Sequence, residues 1–123
     1  MALNKKNLVP RLVTTVPALM IIASGVFKLT GAPEIREALT KAGVVDHIYT
    51  LGAMELVFTA LFLYSKTMKL GVLLLTAYFA GAIATDISHG TSPVAPAVIL
   101  TLVWIAAFVR DRSVFLPAPY ATS

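Results

Sequence analysis

Residues 12–29 read LVTTVPALMIIASGVFKL, a run whose only charge is Lys28. A surface helix in water needs a polar face, and this run offers none. At 1.5 Å per residue it covers about 27 Å, close to the hydrocarbon thickness of a bilayer. Working outward, comparable runs recur at 48–64, 70–87 and 94–109. Barrel strands would alternate apolar and polar residues, whereas these runs are continuous. The expected fold is therefore all-α: a four-helix transmembrane bundle forming one integral membrane domain over residues 1–123. Composition agrees, since 58% of the 123 residues are hydrophobic and 13% charged, against about a quarter charged in soluble domains. Mean hydropathy is +0.84. These figures exclude a water-soluble enzyme. The absence of cysteine removes disulfides, thiolate metal sites and thiol redox chemistry together.

The boundaries carry the expected punctuation. Ser92-Pro93 opens the fourth helix with a hydroxyl and a proline whose missing N–H costs nothing there, and Gly90 closes the third. Pro17 lies inside the first run, where it frees a carbonyl and is expected to kink the helix. Lys5 and Lys6 ahead of this run, with Ala23-Ser24-Gly25 within it, also suit a signal peptide. Its removal would leave three spans and strand a polar face described below, so that reading is set aside.

Between the first two runs, residues 34–42 place Ile35, Ala38, Leu39 and Ala42 at i, i+3, i+4 and i+7. Glu34, Glu37 and Lys41 point the other way. The pattern predicts a short interfacial helix that either paves the mouth of the bundle or acts as a lid over a site.

Charge sets the topology. Lys5, Lys6, Arg11, Lys66, Lys69, Arg110 and Arg112 fall on one side with Asp111, while Arg36 and Lys41 face Glu34, Glu37 and Asp46 on the other. The positive-inside rule then puts both termini in the cytoplasm and the chain in the inner membrane. The basic excess is an attraction for anionic lipid and not a nucleic-acid footprint, since no basic groove or binding motif accompanies it.

Lys28, Glu55 and Asp86 remain inside the runs, with His89 at the end of the third. Each charge costs at least ~2.5 kcal/mol near the bilayer centre, so each needs a partner, water or a function. All fall in the outer half of the bundle, Glu55 about 10 Å in from the start of its helix. At about 100° per residue, Lys28 shares a stripe with Ser24, and Asp86 and His89 share one with Tyr78. A shared polar pocket of Ser24, Lys28, Glu55, Tyr78, Asp86 and His89, open to the outer side, is the economical expectation. Glu55 must be protonated or paired with a cation such as Lys28, while Lys28 could instead snorkel to head groups. Asp86 and His89 stand at the i, i+3 spacing of carboxylate–histidine metal sites, but one such pair is common by chance and no metal site is assigned. Ala77, Gly81 and Thr85 form a small-residue stripe on a face away from Asp86 that could seat a neighbouring helix or a second subunit, so a homo-oligomer is one expectation.

Three strings carry a resemblance: Ser24-Gly25-Val26-Phe27-Lys28-Leu29-Thr30-Gly31, Leu51-Gly52-Ala53-Met54-Glu55-Leu56, and Asp86-Ile87-Ser88-His89-Gly90 followed by Pro93 to Pro96. In this order and spacing, from about Pro10 to Arg112, the chain resembles the DoxX-like family of small four-helix membrane proteins. The resemblance implies an association with membrane redox systems, since the family takes its name from a subunit of a terminal quinol oxidase. It matches the family's intramembrane polar positions to Lys28, Glu55 and His89. The chain has no cysteine, no haem-ligand pair and no flavin or nucleotide motif, so any electrons belong to a bound quinone or to a membrane oxidoreductase partner. The leading expectation is an accessory or binding module holding a quinone or lipid, with no intrinsic cofactor. A proton-coupled carrier using Glu55 is the second expectation, and an enzyme acting on a lipophilic substrate the third.

Overall fold

Lipid cannot satisfy exposed backbone groups, so apolar runs of this length close their hydrogen bonds within themselves as helices. The computed structural model describes residues 5–41 and 43–116. Its five helices are α1 (Lys5–Thr30), α2 (Pro33–Lys41), α3 (Ile48–Leu63), α4 (Met68–Ser88) and α5 (Val94–Arg110). Short 3₁₀ turns cover Val45–His47 and Arg112–Val114, and no strand occurs among the described residues. Three helical stretches, Leu8–Thr30, Val45–Leu63 and Met68–Ser88, are long and apolar enough to cross a membrane, while Val94–Arg110 is apolar but shorter. Both α1 and α4 pack against α3 and against α5, which closes the four long helices into a ring.

The observed helices lie close to the apolar runs, with one extension. Helix α1 begins at Lys5 and continues unbroken through Pro10 and Pro17. Helix α2 spans Pro33–Lys41, and Ala42, expected to end it, lies outside the described residues. Gly31 and Gly43 adopt φ of 70° and 78° on either side of α2, a conformation that disfavours side chains with a Cβ. Each ends its helix with a Schellman pair: Ala32 N donates to Phe27 O and Val44 N to Leu39 O. Ser92 Oγ accepts from Val94 N at 3.3 Å, so the hydroxyl meets the opening of α5, although Pro93 and not Ser92 stands at the cap position.

The core holds Ile21, Phe62, Leu75, Val103, Ala106 and Ala107, all at 0% exposure. Outward-facing bulk is apolar on every long helix, as at Leu12, Val57, Leu73 and Trp104. That is the surface a lipid solvent selects. Two close approaches set helix spacing. A Cβ on Gly52 would stand 2.8 Å from Gly25 O, and one on Gly71 would stand 2.5 Å from Phe62 Cα.

The end of the bundle away from α2 is basic. Arg110 donates to the carbonyls of Phe62 (2.6 Å) and Leu63 (3.1 Å), capping the last turn of α3 with a cation where the helix dipole favours one. Beside it the Asp111 carboxylate accepts from Ser113 Oγ (2.6 Å) and Ser113 N (2.9 Å). These bonds hold its pKa below the usual carboxylate range, with a smaller contribution from Lys69. Ser113→Ala is expected to raise the Asp111 pKa toward the ordinary aspartate value, read by an NMR pH titration. Because the native pKa is depressed, the turn keeps this stabilisation at neutral pH and loses it only as pH falls through that depressed value.

Candidate functional site

Helix α3 turns Ile48, Gly52, Glu55, Thr59 and Phe62 inward. Glu55 is therefore carried into the bundle at 1% exposure. An ionised carboxylate there needs a cation and donors. Lys28, in the last turn of α1, brings Nζ to 2.6 Å from Glu55 Oε2, and Tyr78 of α4 donates its hydroxyl to the same oxygen at 3.0 Å. The ammonium also donates to Ser24 Oγ at 2.7 Å, one turn back along α1. The close contact of Gly25 with Gly52 brings α1 and α3 near enough for this reach. Lys28 pairs with Glu55 and does not simply snorkel to the surface. Edge-to-face contacts with Phe58 (6.4 Å) and Phe79 (5.1 Å) fix the Tyr78 ring.

This cluster lies on the wall of a cavity of about 480 Å³ reached by all five helices. Its apolar lining includes Leu39, Leu51, Met54, Phe79 and Ile99. Ser24, Lys28, Glu55, Tyr78 and Asp86 all line it, so five of the six sequence-predicted residues share one space. Asp86 stands apart from the ion pair and accepts from Thr91 Oγ1 at 2.9 Å. His89 is outside the cavity lining. Its Nδ1 lies 3.0 Å from Thr85 O, and a Cβ on Gly43 would stand 2.5 Å from its Nε2. The exposed imidazole is thus a seat for the connection after α2. Among the described residues no three His, Asp or Glu side chains converge as metal ligands.

Helix α2 covers the cavity with Ala38 and Leu39, followed by Val44. It buries no side chain of its own. Arg36 fastens it, donating to Gly31 O at 3.1 Å and to Tyr49 Oη at 2.9 Å. The Ala77, Gly81 and Thr85 stripe also lines the cavity, together with Asp86, and the expectation that it sits on a separate face is corrected. The signal was in the spacing: Ala77, Tyr78, Gly81, Ala82 and Thr85 form one continuous arc of α4. Nothing lies within 4 Å of where a Gly81 Cβ would stand. A second groove of about 610 Å³ follows α5 beside Trp104, Phe108 and Phe115, and its lining includes no ionisable residue.

Lipid-facing helices around a buried ion pair and an apolar cavity define a small α-helical membrane protein. The model of the DoxX-like family matches residues 12–109. The chain belongs to that family, in agreement with the resemblance drawn from its three strings. No curated protein and no solved structure matches the chain.

Proposed function

We propose that the protein is a binding module of a membrane redox system, holding a small lipophilic, quinone-like molecule in the cavity above Lys28, Glu55 and Tyr78. One observation carries this reading: a buried carboxylate paired with a nearly buried ammonium borders a largely apolar space of about 480 Å³, within the size range of small-molecule pockets. An ammonium has three N–H donors. Ser24 and Glu55 take two, which leaves one for a ligand carbonyl oxygen. Ser24 and Glu55 hold the ammonium in place, Tyr78 holds Glu55, and Asp86 offers an acceptor elsewhere in the cavity. The exposed small residues Ala77 and Gly81 open the space toward lipid, so a tail can remain in the bilayer while the head enters.

The same reading takes α5 as a fourth span. Its 17 residues cover about 25 Å, at the short end of what a crossing needs. Both described chain ends then lie at the basic end, which the positive-inside rule assigns to the cytoplasmic face of the inner membrane. Electrons come from a partner oxidoreductase or a bound quinone.

Mass spectrometry of lipid extracts from the gently solubilised protein tests the reading. The wild type is expected to retain a quinone-like compound in near-stoichiometric amount. Gly81→Leu fills space that no side chain occupies and is expected to lower retention at least fivefold while leaving the melting temperature within about 2 °C. Glu55→Gln removes the charge that positions Lys28 and should lower it similarly. Extracts with no compound above the level of bulk membrane lipid, or undiminished retention in both variants, would overturn the assignment.

A further inference from the structure

The interior between the ion pair and the basic end is not uniformly apolar. Thr59 lies one turn from Glu55 on the same inward stripe at 0% exposure, and Thr14 faces inward from α1 at 8%. Neither hydroxyl has a hydrogen-bond partner. The contrast within the chain is clear: Thr15, Thr40 and Thr101 each donate to the carbonyl four residues back, at 2.6, 2.7 and 2.8 Å. Thr14 and Thr59 do not close that bond. Next to Thr14, the buried Pro17 has no N–H to give the Val13 carbonyl, so a third polar group at this depth lacks its helical partner.

Helix geometry places these groups in file. Gly25 faces Gly52, which fixes the register of α1 against α3. Measured from that level at 1.5 Å per residue, Glu55 lies about 5 Å, Thr59 about 10 Å and Thr14 about 16 Å toward the basic end. Along the bundle axis the steps are about 6 Å, a rise that a short chain of waters covers at about 2.8 Å per hydrogen bond. At the depth of Thr14, Arg110 reaches in to Phe62 O and brings a half-exposed charge to the far end of the file.

We propose that Thr59 and Thr14 hold a file of internal water that joins Glu55 to the aqueous phase beside Arg110, giving the buried carboxylate a route for proton exchange at the basic end. A proton enters from bulk water, hops along the file and is taken by the Glu55 carboxylate, leaving the Lys28 ammonium charged. Lys28 and Tyr78 are the other titratable groups touching Glu55, with Asp86 elsewhere on the cavity wall. The route is independent of what occupies the cavity.

Hydroxyl-radical labelling by X-ray radiolysis, read by mass spectrometry on the full chain in detergent, tests the water directly. Ile21, two turns after Thr14 on α1, and Phe62, one turn after Thr59 on α3, both at 0% exposure, are expected to label at least fivefold faster than the equally buried Leu75 on α4 and Val103 on α5. Thr14→Val with Thr59→Val should abolish the difference, and Thr14→Ser with Thr59→Ser should keep it. In an acid jump, the infrared carboxyl band that Glu55→Gln removes should appear at least tenfold more slowly in the valine pair. Wild-type labelling of Ile21 and Phe62 no faster than of Leu75 would overturn the proposal even if the valine variants fail to fold. An unchanged acid-jump rate in folded valine variants would show that protons arrive through the cavity, which also overturns it.

Discussion

Lys28→Met is expected to destabilise the protein by about 3–5 kcal/mol, because it leaves the Glu55 carboxylate buried without its cation. Glu55 is 1% exposed and Lys28 only 12%, so solvent screens little of the interaction. Tyr78 still donates one hydrogen bond, but a neutral donor does not offset the desolvation of a charge. The sign of the second substitution is opposite. Adding Glu55→Leu to Lys28→Met removes the stranded charge, and replacing a whole buried pair with apolar side chains is often neutral or stabilising. The double variant is therefore expected within about 1 kcal/mol of wild type. Reversible unfolding in a fixed detergent, run on the four members of this cycle, gives the coupling energy. A Lys28→Met loss below about 1 kcal/mol would mean that the pair contributes little to folding.

Gly71→Ala is expected to cost about 3 kcal/mol, at the upper end of what overpacking costs. On helix propensity alone the change would gain about 1 kcal/mol. Packing reverses that sign. The added Cβ would stand 2.5 Å from Phe62 Cα and 2.7 Å from the Leu61 carbonyl carbon. These are backbone atoms of α3, which cannot swing aside as a side-chain tip can. The start of α4 must move away from the end of α3, and the Arg110 cap on the Phe62 carbonyl weakens with it. Gly81→Ala is the internal control. Nothing stands within 4 Å of its Cβ position, so it is expected to stabilise the protein by about 0.5–1 kcal/mol. Melting curves of the two variants side by side test both signs.

Those two glycines also mark where sequence reasoning stops. Both sit inside one apolar helix, and local sequence says nothing of which touches another backbone. The long helices themselves were legible to within about two residues at most ends, because run length and the Gly and Pro signals coincide there. The start of α1 was not. Lys5, Lys6 and Asn7 carry no hydropathy, yet helicity continues through them and through Pro10.

Within the site, the pairing of Lys28 with Glu55 could be read from depth and from the cost of an isolated charge. Tyr78 was drawn in through its stripe with Asp86, but its hydroxyl goes to Glu55, a choice set by how α3 and α4 face each other. His89 was grouped with the pocket by helical angle. Its ring instead meets Gly43 in a connection whose path no periodicity describes.

The manner in which α2 is attached bears on how such a protein diversifies. Its flanks are two left-handed glycines, its fastening runs through Arg36, and it contributes no buried side chain to the bundle. Ala38 and Leu39 nevertheless form part of the cavity wall. Mutations at these two positions can reshape the cavity wall without being filtered by the stability of the bundle, whereas changes at Gly25, Gly52 or Glu55 cannot. Helix α2 is the segment on which selection can act on the shape of the cavity while the scaffold stays fixed.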